Sequence, residues 1–171
     1  MKNIWSLLIF PLLMVVQDLS AQETLNFDDL YIHNDLIYKV SNDSLFSGIC
    51  EKRRKNGHLV MEESFKNGII LSAKYYYNGK RKIMSDSVIY NFTKPYEYKA
   101  LYRFNMKTQN ISEKNTYDTN GKLILVENFK NNKLTYSCEY NGKQKHGKEF
   151  CYTKEGLLLE YEYMDGKKVK D

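Results

Sequence analysis

The feature that most constrains the fold of this chain is a recurring Asn-Gly dipeptide, which occurs five times. Asn-Gly between alternating apolar residues is a strong β-hairpin signal, because a type I′ turn needs positive φ at both central residues. The predicted turn residues are Gly48, Asn56, Gly57, Asn67, Gly68, Asn78, Gly79, Asn120, Gly121, Asn141, Gly142, Gly147, Gly156 and Gly166. Asn34-Asp35, Asn131-Asn132, Glu155 and Asp165 stand in similar places. Turn signals about every ten residues favour an all-β chain and exclude long amphipathic helices.

Three segments repeat the same order of turn, strand and turn. They cover residues 56–68, 120–132 and 155–166, the last being one residue shorter. Between the turns the side chains alternate in strand fashion, so that Tyr136, Cys138 and Tyr140 share one face of a sheet. Tyr161 and Tyr163 alternate with glutamates in the same way. The sequence therefore predicts an antiparallel meander of repeated hairpins.

The section 82–114 fits this pattern less well. It lacks Asn-Gly steps and contains Pro95, although 101–104 still has the composition of a strand. Two interpretations stay open, namely a degenerate repeat and an insertion.

The first 21 residues have the pattern of a secretory signal peptide. A short basic start is followed by an apolar run over 4–16 and then by a polar stretch that ends at Ala21. The apolar run is too short for a membrane span, which needs roughly 20 residues. We therefore expect a cleaved segment 1–21 and one mature domain, 22–171, without a transmembrane segment and located in the periplasm, in the outer envelope or outside the cell.

The charge and the aromatic content restrict the class of protein further. The formal net charge of +5 is mild and spread along the chain, which gives no indication of nucleic-acid binding. The chain holds 15 Tyr and 8 Phe, which is far too aromatic for a disordered protein. Tyrosine packs well on half-exposed sheet surfaces. The tyrosine stripes are therefore expected to cover the sheet, with a recognition face as the alternative.

Two stretches of the chain have a distinctive loop pattern. The run 140–148 contains Tyr140, Asn141-Gly142 and His146-Gly147, and it is similar to a MORN loop. Phe46-Ser47-Gly48 followed by Asn56-Gly57 resembles the opening of the MORN-repeat-variant proteins known as YwqK-type antitoxins. The resemblance covers about 29–80 and 115–168. It implies an elongated, single-layer antiparallel meander without enzyme activity. The predicted export signal argues against a cytoplasmic antitoxin role.

No catalytic, metal or cofactor site is predicted. His33, His58 and His146 are not spaced with other ligands as metal sites are, and no nucleophile elbow, phosphate loop or dinucleotide fingerprint is present. The adjacent acids Glu62-Glu63 and Asp28-Asp29 point to opposite faces if they lie in strands, so they do not form catalytic pairs.

The run Lys52, Arg53, Arg54 and Lys55 is the densest basic segment. It is interpreted chiefly as a solvated strand end, with an anionic contact such as lipid head groups as the alternative.

The cysteines suggest a cross-strand disulfide. An exported chain usually oxidises its thiols, and Cys50, Cys138 and Cys151 make an odd number. If 143–146 forms the tip of a symmetric hairpin, Cys138 faces Cys151 within bridging distance. The alternatives are three buried free thiols and a bulge that shifts the register.

Three functions remain open at this point. The leading hypothesis is a non-enzymatic binding or scaffold module with a protein partner, because repeat sheets present long regular surfaces. The second is an immunity or antitoxin-like partner of a toxin, which rests on the family resemblance alone. The third is a hydrolase whose site assembles from distant residues.

Overall fold

The computed structural model describes residues 22–169, so the predicted signal segment lies outside the described residues. The described part of the chain is almost entirely β-structure, with one short 3₁₀ turn, Phe27–Asp29, and no α-helix. The strands are β1 Thr24–Asn26, β2 Leu30–His33, β3 Leu36–Lys39, β4 Gly48–Arg53, β5 Leu59–Lys66, β6 Ile69–Tyr76, β7 Met84–Asn91, β8 Lys94–Phe104, β9 Ile111–Tyr117, β10 Leu123–Lys130, β11 Lys133–Asn141, β12 Gln144–Tyr152, β13 Leu158–Met164 and β14 Lys167–Lys168. No helix in 22–169 is long and apolar enough to cross a membrane.

Twelve strands form one long sheet in the order β1-β4-β5-β6-β7-β8-β9-β10-β11-β12-β13-β14. From β4 onward each strand pairs antiparallel with the next along the chain, which confirms the predicted all-β meander of hairpins. β1 departs from the pattern, because it pairs with β4 in parallel. The section 82–114 supplies β7, β8 and the start of β9 as consecutive members of this sheet, so it does not interrupt the meander.

The register divides the side chains into two unlike faces. Directly paired residues share a face, and one row of them crosses the sheet from β1 to β13. The row is Leu25, Cys50, Glu63, Ala73, Val88, Leu101, Asn115, Val126, Cys138, Glu149 and Tyr161. We call this side the tyrosine face.

The opposite side is polar, and we call it the charged face. Its corresponding row is Glu51, Glu62, Lys74, Ser87, Tyr102, Lys114, Glu127, Ser137, Phe150 and Glu160. Ion pairs tie the row together, as between Lys114 Nζ and Glu127 Oε2 at 2.7 Å. The adjacent acids Glu62 and Glu63 lie on opposite faces, as predicted.

The predicted type I′ geometry is correct at some turns and wrong at others. Both central residues have positive φ at Asn34-Asp35, Asn67-Gly68, Asn131-Asn132 and Asp165-Gly166. In the turns 54–57, 118–121 and 153–156, only the final glycine has a positive φ. Its N–H donates a hydrogen bond to the carbonyl oxygen of the residue three positions earlier. These are four-residue turns, in which a type I turn ends in a left-handed glycine. Gly79 does not have positive φ. Asn-Gly thus marks a chain reversal, while the flanking residues decide its length.

Each of the three repeat units has the same construction. A four-residue turn ends in a left-handed glycine, a strand follows, and a type I′ turn closes the unit at 67–68, 131–132 and 165–166. The strands of the first two units also carry a bulge at the same place, before Phe65 and before Phe129. The equivalent glutamates nevertheless face opposite ways, with Glu63 on the tyrosine face and Glu127 on the charged face. Five strand steps separate β5 from β10, so the two strands run in opposite directions. The two hairpins are therefore related by a rotation of half a turn about an axis in the sheet plane, and this rotation exchanges the two faces of the sheet.

A second layer covers the N-terminal end of the tyrosine face. β2 and β3 form a separate hairpin. Backbone hydrogen bonds from Ile37 N to Gly68 O (2.9 Å) and from Gly68 N to Phe46 O (2.8 Å) hold the hairpin and Phe46 against the sheet. We call β2, β3 and Phe46 the cap. Phe46 is fully buried and its ring lies 5.7 Å from that of Phe65. The single-layer prediction therefore applies only to the rest of the sheet. All buried hydrophobic residues of the described chain lie between Ile37 and Ala100, except Cys138.

Candidate functional site

Beyond the cap, the tyrosine face carries a cluster of aromatic rings on four neighbouring strands. It consists of Tyr75, Tyr90, Tyr98 and Tyr117, and we call it the tyrosine cluster. The rings of Tyr90 and Tyr98 are 5.6 Å apart, and those of Tyr98 and Tyr117 are 5.8 Å apart, both edge to face. Tyr90 is 9% exposed and hydrogen-bonds to Tyr75, whereas Tyr98 is 38% exposed. The cluster is anchored on its buried side and open to solvent on the other.

A polar row borders the tyrosine cluster on the same face. Asp86, Arg103 and Glu113 are directly paired across β7, β8 and β9. Arg103 Nη1 lies 3.0 Å from Glu113 Oε1, and Arg103 Nε lies 3.9 Å from Asp86 Oδ1. The guanidinium is half exposed, so aromatic area and an oriented arginine are presented side by side. Tyrosine and arginine are the residues most enriched at the energetic centres of protein interfaces.

Farther along the face, the buried carboxylate of Glu149 is surrounded by donors. The Tyr136 hydroxyl donates to Glu149 Oε1 at 2.9 Å, and Lys145 and Tyr163 also hydrogen-bond to this carboxylate. Burial alone raises the pKa of Glu149, but these hydrogen bonds outweigh it and hold the pKa below its usual range. Lys145 Nζ also lies 4.9 Å from the Tyr163 ring centroid. The charge is compensated within the sheet, which is the arrangement of a structural ion pair.

Glu63, in the same row, has the opposite environment. It lines an apolar cleft of about 370 Å³ between the cap and the sheet, together with Phe27, Leu30, Tyr31, Ile32, Ile37, Cys50, Phe65 and Tyr96. Burial raises the pKa of the Glu63 carboxyl, and the charge of Lys52 opposes that shift only in part. The two do not form an ion pair in the described part of the chain. Among the residues that the structure describes, Glu63 thus has mainly apolar neighbours and no close charged partner.

The register that underlies the predicted disulfide is wrong. The turn between β11 and β12 takes only Gly142 and Lys143, because Asn141 pairs with Gln144. The three residues 146–148 of β12 lie opposite the single residue Glu139 of β11 and form a bulge. The Glu139 carboxylate accepts a hydrogen bond from the Lys148 N–H at 2.8 Å. Cys138 therefore faces Glu149, and Cys151 faces Tyr136.

The structure holds Cys50, Cys138 and Cys151 as free thiols. Cys50 and Cys138 are fully buried, as expected in the alternative of small buried hydrophobes.

The predicted basic run is not a continuous patch. Lys52, Arg53, Arg54 and Lys55 are exposed, but Arg53 binds the Glu51 carboxylate at 2.7 Å, and Lys52 Nζ lies 5.8 Å from the Phe27 ring centroid. Asp28 and Asp29 line the same surface hollow as Lys52 and Arg53. Local acids therefore offset much of the positive charge of this run.

The histidines are separate from one another and serve turns or surface contacts. His58 Nδ1 lies 3.0 Å from Asn78 Oδ1, and His146 Nδ1 lies 3.3 Å from Asp165 Oδ1. Within 22–169, no three His, Cys, Asp or Glu side chains are placed to hold a metal ion.

Sequence reasoning missed Glu63, Glu149 and the tyrosine cluster. The cluster draws on the section 82–114, which carries no turn signal. The environments of the two glutamates depend on pairing across four different strands and on a cap that the repeat pattern does not contain. The alternating tyrosines were the available signal, and they correctly placed Tyr136 with Cys138 in β11 and Tyr161 with Tyr163 in β13 on one face.

Comparisons with known proteins give no family for this chain. No protein-family model matches it, and no curated protein matches it. One solved structure, described as a crystal structure of a GtfA/B complex bound to UDP and GlcNAc, aligns with 84% of this chain at 10% identity and a TM-score of 0.47. This chain spans 27% of the length of that one.

Proposed function

We propose that this chain is an exported, non-catalytic binding module whose tyrosine cluster contacts a protein partner. The observation that carries the proposal is the partly exposed ring of Tyr98, which is anchored on buried Tyr90, while Arg103 lies farther along the same strand and face. Rigid aromatic area on the same face as an oriented guanidinium suits the desolvated centre of a protein interface. A partner that covered the cluster would bury rings whose supporting side is already ordered, so little conformational entropy would be lost.

The proposal includes two statements from the sequence. The segment 1–21 directs export to the bacterial envelope or the extracellular space, and the hairpin repeats relate the chain to the MORN-variant proteins. Export is tested by N-terminal sequencing of the native protein, which should begin at Gln22. A native protein that retains 1–21 inside the cell would contradict the location.

The binding surface is tested by photo-crosslinking in cells that make the protein. A photoreactive phenylalanine analogue replaces Tyr98 on the tyrosine face or, as a matched control, Tyr102 on the charged face of the same strand. A protein adduct of one discrete mass is expected from position 98 and not from position 102. In the position-98 protein, Arg103→Ala should weaken that adduct. Equal labelling from both positions, or none from position 98, would contradict the proposal.

A further inference from the structure

The cleft beneath the cap is built from aromatic and aliphatic side chains around one carboxylate. Its volume of about 370 Å³ suits a small molecule, since ligand sites start at about 300 Å³. Phe27 comes from the 3₁₀ turn, Tyr31 and Ile32 from the cap, and Cys50 and Phe65 from the sheet. Three separate parts of the chain thus enclose the cleft, which distinguishes it from a groove along a single strand.

Glu63 gives the cleft its polarity. Its partners in the paired row, Cys50 and Ala73, are both fully buried and offer no charge to the carboxylate. No hydrogen bond to the carboxylate is made by the described residues. Glu63 is partly buried, whereas the fully buried Glu149 on the same face is paired. The open side of the Glu63 carboxylate therefore faces the cleft with unused acceptor capacity.

Tyr96 supplies a ring at the border of the cleft through a distorted backbone. It has φ of +69°, a left-handed conformation that bulky residues rarely adopt, and it follows Pro95 in a bulged part of β8. Bulges re-aim side chains, and such backbone strain concentrates at ligand sites. The ring of Tyr96 lines the cleft with Glu63 and packs edge to face on Tyr90, with centroids 6.5 Å apart.

We propose that this cleft binds a small organic amine, with its ammonium group on the Glu63 carboxylate and its apolar body among Phe27, Tyr31 and Tyr96. Charge complementarity selects the occupant, because a cation satisfies the unpaired carboxylate and aromatic rings attract cations through their faces. A neutral apolar ligand would leave Glu63 unpaired, and an anion would be repelled. The site is separate from the partner surface, because Tyr98, Arg103 and Tyr117 do not line it.

The test uses two probes that differ in one group, 2-phenylethylamine and 2-phenylethanol, titrated into the 22–171 chain and followed by amide NMR shifts. We expect saturable binding of the amine at roughly millimolar concentration, as befits a ligand with few atoms. The shifts should centre on Cys50, Glu63 and Phe65. The alcohol should bind at least about tenfold more weakly, a difference of 1.4 kcal/mol.

Matched variants assign the effect to the carboxylate and to the ring. Glu63→Gln keeps the shape of the side chain and should weaken amine binding about tenfold or more, whereas Glu62→Gln on the charged face should not change it. Tyr96→Asn tolerates positive φ and removes the ring, so it should also weaken binding. Equal affinity for amine and alcohol, unchanged binding by Glu63→Gln, or no saturable amine binding would each overturn the proposal.

Discussion

Glu63, which is partly buried, and Glu149, which is buried, show how neighbours decide the effect of a desolvated acid on stability. Both lie in the same row of the tyrosine face, yet burial raises the pKa of Glu63, while hydrogen bonds from Lys145 and Tyr136 outweigh burial and lower the pKa of Glu149. An acid with a lowered pKa in the folded state stabilises the fold above its unfolded pKa, and this stability is lost as pH falls through the folded value. An acid with a raised pKa destabilises the fold as pH rises from the unfolded value through the folded one.

The pH dependence of two matched variants should therefore have opposite signs. At pH 7, Glu149→Gln is expected to lower the free energy of unfolding by about 1–3 kcal/mol, because buried donors lose a charged acceptor. That loss should shrink as the pH falls through the lowered pKa of Glu149. Glu63→Gln should raise the unfolding free energy at pH 7, and this gain should vanish below the unfolded pKa. Urea titrations from pH 3 to pH 8 measure both, and a destabilised Glu63→Gln variant at pH 7 would contradict the assignment.

The free cysteines should differ sharply in reactivity. Cys50 is fully buried, and burial raises its pKa to about 12, so little of it is thiolate at neutral pH. Burial also raises the pKa of Cys138. Cys151 is partly exposed. We expect iodoacetamide to alkylate Cys151 at least about tenfold faster than the other two in the native chain, because alkylation needs an accessible thiolate. Peptide mapping measures the rates, and a protected Cys151 in the native, non-reduced chain would contradict the register between β11 and β12.

At the scale of elements, Asn-Gly steps show what the sequence can and cannot determine. The chain reversals at Asn67-Gly68 and Asn141-Gly142 were both predicted, because glycine adopts a positive φ readily and the sequence shows where glycine is. Register was not predictable at the second, since the two-residue turn is followed by a bulge at 146–148 that a remote side chain, Glu139, stabilises. One such bulge changes every pairing beyond it, and this is why the predicted facing of Cys138 and Cys151 failed.

Two glycine substitutions separate these local constraints. Gly147 has φ of +92°, and an added Cβ would lie 2.0 Å from Glu139 Oε2, which accepts the Lys148 N–H. Gly147→Ala is expected to destabilise the chain by about 2 kcal/mol, from backbone strain together with a lost hydrogen bond. Gly79 has neither a positive φ nor any atom near an added Cβ, so Gly79→Ala should stay within about 0.5 kcal/mol of wild type. Thermal unfolding compares them, and equal effects would contradict this account of the bulge.

At the scale of the whole molecule, the sequence repeat predicts that matching residues of the units have the same environment, but the cap covers only one unit and makes the environments different. Phe65 and Phe129 occupy the same place in the first two units, next to the same bulge. Phe65 is 4% exposed beneath Phe46, whereas Phe129 is only partly buried and no second layer of the described residues covers it. The hairpin pattern was sufficient to predict the meander. The cap was not predictable, because Phe46 and Ile37 meet the sheet through contacts that are not part of the repeat.

The same asymmetry predicts that the two ends of the sheet unfold separately. In repeat sheets each unit contacts chiefly its neighbours, so stability is local, and the buried hydrophobic residues lie mostly in the capped end. Phe65→Ala should cost about 3–5 kcal/mol, in the range of large core truncations, whereas Phe129→Ala should cost about 1 kcal/mol. Native-state hydrogen exchange measures where the loss occurs. Phe65→Ala should speed exchange of slow amides in β4–β6 by at least about a hundredfold, while β11–β13 keep their rates, since every 1.4 kcal/mol is a factor of ten. Uniform acceleration across all strands would instead show one cooperative unit, in which the cap stabilises the far end of the sheet as much as its own.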